Sequence, residues 1–126
     1  MARIGLFGGT FDPVHLAHLR TALEVREALA LDRVELVLSA VPPHKTQGTQ
    51  APVDHRRRML ELAIAGDPHL ALNLCEVERA GPSYSIDTIR AVQAREPDAA
   101  LTFILGADAF AEIGTWKDYA AIFIAL

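Results

Sequence analysis

Gly8-Gly9-Thr10-Phe11-Asp12-Pro13-Val14-His15-Leu16-Ala17-His18 is the stretch that decides how this chain folds. An apolar run, Ile4 to Phe7, leads into the paired glycines, and a long helical pattern follows them. A strand, a tight turn and a helix start are thus compressed into one short segment. Such a junction aims backbone N–H groups and the positive end of a helix at one point, which suits a phosphate. His15 and His18 are spaced to share a face in the first turn of a helix. The stretch therefore reads as a site for a nucleotide polyphosphate, with the remaining chain supporting it and a second substrate.

The length of 126 residues allows one domain with a real core, spanning 1–126. A content of 51% hydrophobic and 22% charged residues excludes a disordered chain. The formal net charge of −4 argues against broad phosphate tracking, so no nucleic-acid partner is expected and any anion site must be local. The lone Cys75 excludes an internal disulfide framework and a multi-cysteine zinc site. Met1-Ala2-Arg3 runs straight into a strand-like segment, unlike a signal peptide, and no apolar run approaches transmembrane length. These features predict a soluble, cytoplasmic, acidic domain with no membrane partner.

Beyond the glycines a helix is expected from Pro13 or Val14 to about Ala30, with Leu16, Leu19, Ala22, Leu23 and Ala30 as its apolar stripe. Val34 to Leu38 reads as a strand buried on both faces. It exits through Ser39-Ala40-Val41-Pro42-Pro43-His44-Lys45, which carries a base and a cation, into a polar, mobile loop at Thr46 to Pro52. Asp54 is the expected N-cap of a helix from His55 to about Ala65, burying Met59, Leu60, Ala63 and Ile64. Alternating Leu70, Leu72 and Leu74 predict a third strand, and Ala80 to Tyr84 a turn. Ser85 is the expected cap of a helix over Ile86 to Arg95, and Leu101 to Leu105 a fourth strand, again followed by a glycine in Gly106-Ala107-Asp108. A short helix to Ile113, a loop over Gly114 to Lys117 and an apolar segment from Tyr119 to Leu126 complete the chain. Alternating strands and helices imply an α/β, Rossmann-like, doubly wound parallel sheet, whose ligands lie beyond the carboxyl ends of the strands. Gly8 to His18, His44-Lys45 and Gly106 to Asp108 all fall at such ends.

The glycine pair is neither G-x-G-x-x-G nor a P-loop, because no Gly-Lys-Ser/Thr follows. What remains is a phosphate site with two imidazoles as donors. Capping and packing would explain one such histidine; two on one turn behind Gly-Gly favour function. Metal binding by the pair lacks a third ligand at matching helical spacing.

Gly8-Gly9-Thr10-Phe11-Asp12-Pro13-Val14-His15-x-x-His18 resembles the signature of the nucleotidylyltransferase superfamily with the H-x-G-H motif. Within it the chain is similar to bacterial nicotinate-nucleotide adenylyltransferases. The further matches are Val41 to Lys45, Arg56-x-x-Met59-Leu60, Ser83 to Thr88, Leu105 to Asp108 and Thr115-Trp116, in the family's order over nearly the whole chain. The resemblance implies transfer of AMP from ATP to nicotinate mononucleotide, giving deamido-NAD and pyrophosphate in NAD biosynthesis. By the same resemblance His15, His18 and Lys45 act on the ATP phosphates, and Gly8, Gly9, Thr10, Phe11, Gly106 and Asp108 meet the nucleotide. His44 and Arg56 hold phosphate oxygens, and Tyr84, Ser85 and Trp116 contact the nicotinate half. Mg²⁺ is the implied cofactor, bound mainly through the polyphosphate. For Trp116, stacking on a ligand and packing against the last helix both stay open; Tyr84 belongs to core or pocket, and Cys75 to inert strand packing.

Two features depart from the family pattern. Ala17 stands where the motif has glycine, adding a methyl group near the nucleotide. The chain ends at Ile122 to Leu126, where family members continue with another strand and a Ser-Thr-x-x-Arg segment, so the C-terminal part of the family fold is expected to be missing. An apolar terminus of this kind invites a homodimer. The rival readings are an adenylyltransferase using nicotinamide mononucleotide or phosphopantetheine, and a non-catalytic nucleotide-binding module.

Overall fold

The second strand shows why this sequence makes a two-faced sheet. Along Arg33–Leu38 (β2), Val34, Leu36 and Leu38 point to one face, while Glu35 and Val37 point to the other. Every residue from Val34 to Leu38 is buried, so both faces of the strand must be covered. In a computed structural model, which describes residues 1–39, 51–79 and 84–126 without the side chains of residues 107, 108 and 123–125, they are. Arg3–Gly9 (β1), β2, Leu70–Asn73 (β3) and Ala100–Ile104 (β4) form one parallel sheet in the order β3-β2-β1-β4.

Helices Leu16–Ala28 (α1) and Val53–Ile64 (α2) contribute Ala22, Leu60 and Ile64 to a core with Leu36, Leu38 and Ile104. Ser85–Arg95 (α4) and Tyr119–Ala125 (α6) cover the opposite face with Ile86, Ile89, Val92 and Ile122 against Ile4, Leu6 and Val37. Short helices Cys75–Glu78 (α3) and Ala107–Ala111 (α5) and a 3-10 turn at Ile113–Thr115 complete the described elements. The doubly wound arrangement is the expected one. Burying whole β-branched and leucine side chains on two faces contributes roughly 1.5–3 kcal/mol each.

Glu35 is the exception to the apolar sheet. The two-residue period sends it to the α4 face, where Arg95 Nη2 donates to both carboxylate oxygens at 2.9 and 2.8 Å. Asn73 Nδ2 and Arg33 Nε add bonds at 2.9 and 3.0 Å. Burial pushes this carboxyl up, but the bonds from Arg95, Asn73 and Arg33 outweigh it and hold the group below the usual glutamate value.

Several boundaries differ from expectation for local reasons. α1 starts at Leu16, because His15 is extended (φ −142°, ψ 174°) and serves as the N-cap. It stops at Ala28, and Ala30 lies beyond it in the left-handed region at φ 53°. Leu16, assigned to the buried stripe, is 79% exposed, since the first turn precedes the point where α1 reaches the sheet. Pro52 precedes α2 and Asp54 lies inside its first turn, favourable to the dipole. The buried stripe of α2 is Arg56, Leu60 and Ile64, at four-residue steps; Met59 and Ala63 are exposed. β3 ends one residue early, where Asn73 Oδ1 accepts the Cys75 N–H at 3.0 Å and turns the chain into α3. Cys75 thus opens a helix and is half-buried, with burial raising its thiol value. Tyr84, not Ser85, is the residue before α4. The loop assigned to Thr46–Pro52 and the turn at Ala80–Tyr84 lie largely outside the described residues.

Candidate active site

β1 and β4 are hydrogen-bonded neighbours, yet the helix after β1 packs on one face and α6, after β4, on the other. The chain therefore diverges at their carboxyl ends and leaves a crevice there, where open α/β sheets place ligands. A cleft of about 370 Å³ occupies this position. Gly8 and Gly9 line it from the end of β1 with Thr10 just beyond, Ser39 after β2, and Gly106 after β4. Tyr84, Ser85 and Thr88 from the start of α4 contribute too, with Trp116 and Lys117. A Cβ built at Gly8 or Gly106 would meet no described atom within 4 Å, so the backbone there is bare toward the opening.

His15 and His18 sit beside this cleft in sequence but are not among its lining residues. The His15 N–H donates to His18 Nδ1 at 3.1 Å, in a capping box that spends one imidazole nitrogen on the helix start. When neutral, His18 therefore carries its proton on Nε2, free to act as a donor. Burial and, secondarily, the neighbouring His15 depress the His18 value, which favours that neutral form at pH 7. The two rings stack, centroids 3.8 Å apart and 25° between planes. His18 also packs edge-on to Phe11 at 5.0 Å.

Phe11, expected at the nucleotide, is 2% exposed and forms the apolar bed beneath His18 and Phe7 instead. Its φ of 46° is unusual for an aromatic residue, and the close packing holds it there. Arg56, expected to hold a substrate phosphate, is 1% exposed. Its guanidinium donates to the carbonyls of Thr10, Ser39 and Ala51, so it supports the cleft from inside rather than lining it. The buried stripe of α2 carries it inward. Ala17 is exposed in the first turn of α1. His44, Lys45 and the Asp108 side chain lie outside the described residues, and Gly106 precedes α5.

Trp116 lines the cleft and packs edge-on to Phe103 of β4 at 6.4 Å. Tyr84 lines the cleft and also packs against the core on the α4 face. Lys117, which sequence reasoning passed over, places Nζ 4.9 Å from the Tyr84 ring centroid and 3.8 Å from Asp87 Oδ2. It is the cation among the described lining residues, and its position directly after Trp116 was the available signal. Glu76 was also missed. Burial pushes its carboxyl up, opposed by hydrogen bonds with Thr88 and Ser39 and by Arg79. Thr88 Oγ1 donates to it at 2.6 Å. No sequence pattern marks a carboxylate in a four-residue helix as part of a cleft.

Residues 6–124 match the cytidylyltransferase-like family. The chain is 46% identical over 121 residues to the probable nicotinate-nucleotide adenylyltransferase of Desulfatibacillum aliphaticivorans, covering 96% of this chain and 55% of that protein. To the protein of the same name from Thermus thermophilus it is 48% identical over 116 residues, covering 92% and 61%. The chain thus spans little more than half the length of these curated relatives. Its fold is similar to that of Plasmodium falciparum nicotinic acid mononucleotide adenylyltransferase complexed with NaAD, with TM-score 0.78 at 18% identity over 97% of this chain and 60% of that one.

Proposed function

The chain belongs to the cytidylyltransferase-like family, and on that premise we propose that it transfers AMP from ATP to nicotinate mononucleotide, yielding deamido-NAD and pyrophosphate. The observation that carries this reading is the single cleft shared by the Gly8-Gly9-Thr10 tip of β1, Gly106 after β4 and the Tyr84-Ser85-Trp116-Lys117 group. Such a cleft suits a reaction that must bring two nucleotides together. The identities to nicotinate-nucleotide adenylyltransferases support the choice of acceptor.

The attacking group is the acceptor's phosphate, ionised at neutral pH, so no general base is required. Its oxygen bonds to the α-phosphorus of ATP as the bond to the bridging oxygen of pyrophosphate breaks. Catalysis then consists of in-line positioning and stabilisation of the charge growing on the leaving group. Gly8 brings bare backbone close to the phosphates, with Gly9 and Thr10 beside it. His18, neutral with its proton on Nε2, and His15 donate to phosphate oxygens, and Lys45 with His44 adds positive charge. Asp108 beside Gly106 binds the ribose hydroxyls. Trp116 offers the pyridine ring a flat face, and Lys117 attracts an anionic acceptor.

Among the described residues no group of three or more His, Cys, Asp or Glu could hold a metal ion. Mg²⁺, held chiefly by phosphate oxygens and water, would supply charge neutralisation of the polyphosphate.

The test is pyrophosphate release from ATP and Mg²⁺ with nicotinate mononucleotide, nicotinamide mononucleotide or phosphopantetheine offered in parallel. Release should be fastest with nicotinate mononucleotide. Faster release with another acceptor would reassign the substrate, and ATP binding without release for any of them would select a non-catalytic nucleotide-binding module.

A further inference from the structure

The β1–β2 ladder ends where the Ser39 N–H donates to the Gly9 carbonyl at 2.9 Å. One step further the two strand tips part, and Arg56 sits in the fork. Its Nη1 donates to Thr10 O at 2.9 Å and to Ser39 O at 2.7 Å, bridging the tips where a further ladder bond would fall. Its Nε donates to Ala51 O at 3.0 Å, while the Ala51 N–H is held by Asp12 Oδ1 at 3.0 Å. One side chain thus ties three segments that are distant in sequence. Ser39 and Ala51 are moreover the two residues flanking segment 40–50.

A buried guanidinium is a costly way to fill the inward stripe of α2, which Leu60 and Ile64 fill with hydrocarbon. What it supplies is a planar fork with donors at fixed angles, which neither a leucine nor the point charge of lysine reproduces. Thr10 and Ser39 both line the cleft, so the separation that Arg56 sets between their carbonyls is also the shape of the cleft wall.

We propose that Arg56 is a positioning residue that holds the glycine loop and the tip of β2 at the spacing ATP requires, without touching substrate. The proposal rests on the reading above, in which the ATP phosphates lie against Gly8 to Thr10.

The test compares Arg56→Lys with Leu60→Ala, a core truncation on the same helix face outside the clamp. Calorimetric ATP affinity in Mg²⁺, KM and kcat for each substrate, and amide hydrogen exchange at Ser39 and Ala51 are measured on both. Arg56→Lys should weaken ATP binding about tenfold or more and raise the ATP KM more than the acceptor KM. It should also speed exchange at both amides, whereas Leu60→Ala should lower Tm with less than a threefold change in ATP affinity. ATP affinity within threefold of the parent in Arg56→Lys, or equal weakening in Leu60→Ala, would overturn the proposal. If Arg56→Lys does not fold, Asp12→Asn, which loosens the same knot at Ala51, must weaken ATP binding more than Leu60→Ala does. A parent chain that binds no ATP sinks the adenylyl-transfer reading instead; unchanged exchange at Ser39 and Ala51 in Arg56→Lys would still refute the clamp on its own.

Discussion

Replacing His18 by alanine separates catalysis from packing, and the structure sets both magnitudes. The imidazole gives up Nδ1 to the His15 N–H, so truncation removes a capping interaction of about 1 kcal/mol. It also removes the edge-on contact to Phe11 at 5.0 Å, of the order of 1 kcal/mol. The sum, about 2 kcal/mol, is larger than a first-turn histidine suggests, yet a domain with the usual 5–15 kcal/mol stays folded at 25 °C. Loss of one preorganised donor to the leaving pyrophosphate should cost roughly 100- to 1,000-fold in kcat. Pyrophosphate release at 25 °C and thermal unfolding followed by circular dichroism read the two effects on the same sample. His18→Gln, which keeps a donor, should recover part of the rate. A folded His18→Ala retaining more than a fifth of parental turnover would refute the catalytic role and leave only the cap. The depressed His18 value adds a pH signature. The unfolded chain takes up a proton near 6.5 and the folded one resists until lower pH, so stability falls as pH drops through that window. His18→Ala should flatten this slope.

Gly106→Ala should leave Tm unchanged within a degree or two, because its φ of −71° suits alanine and the new Cβ meets no described atom within 4 Å. The same methyl enters the cleft, so the ATP KM should rise several-fold, measured by initial rates; an unchanged KM would move the nucleotide away from β4. Lys117→Met should lower kcat/KM for nicotinate mononucleotide about tenfold and leave the amide form nearly unaffected, in a side-by-side comparison of both acceptors; equal losses would deny Lys117 any part in selecting charge. Glu35→Gln should cost about 2 kcal/mol, below the roughly 3–5 kcal/mol of a fully buried ion pair, since Arg33 and Arg95 remain partly in water. Its contribution is present above pH 4.5 and disappears as pH falls through the lower folded value, so denaturant titrations should converge in acid; a gap between parent and variant that persists there would contradict the assignment.

The fold was legible because short apolar runs such as Val34 to Leu38 alternate with longer helical patterns such as the Leu16, Leu19, Ala22 and Leu23 stripe. What periodicity could not reveal was the angle at which each helix meets the sheet. Leu16 matches the stripe of α1 yet is solvent-exposed, whereas Arg56 breaks the apolar pattern of α2 yet is buried. Composition treats arginine as surface; here three backbone carbonyls make an interior site for it. At the cleft, Gly8, Gly9, Thr10, Gly106 and Ser85 were readable from glycines at strand ends and from motif order, whereas the sequence alone leaves Tyr84 and Trp116 open. Glu76 and Lys117 were not, because the place of Glu76 depends on how α3 packs against α4, and that of Lys117 on its reach to Asp87 and Tyr84, which no local pattern encodes.

The claim on which everything turns is that donor and acceptor nucleotides occupy two ends of one cleft. Backbone-assigned NMR of the chain, titrated first with ATP and Mg²⁺ and then with nicotinate mononucleotide, reads it residue by residue. ATP should shift the amides of Gly8, Gly9, Thr10 and Gly106, and the mononucleotide those of Tyr84 and Ser85 together with the Trp116 indole N–H. Shifts confined to the separate groove beside Leu16, Leu23 and Leu70, with the glycine loop silent, would contradict it.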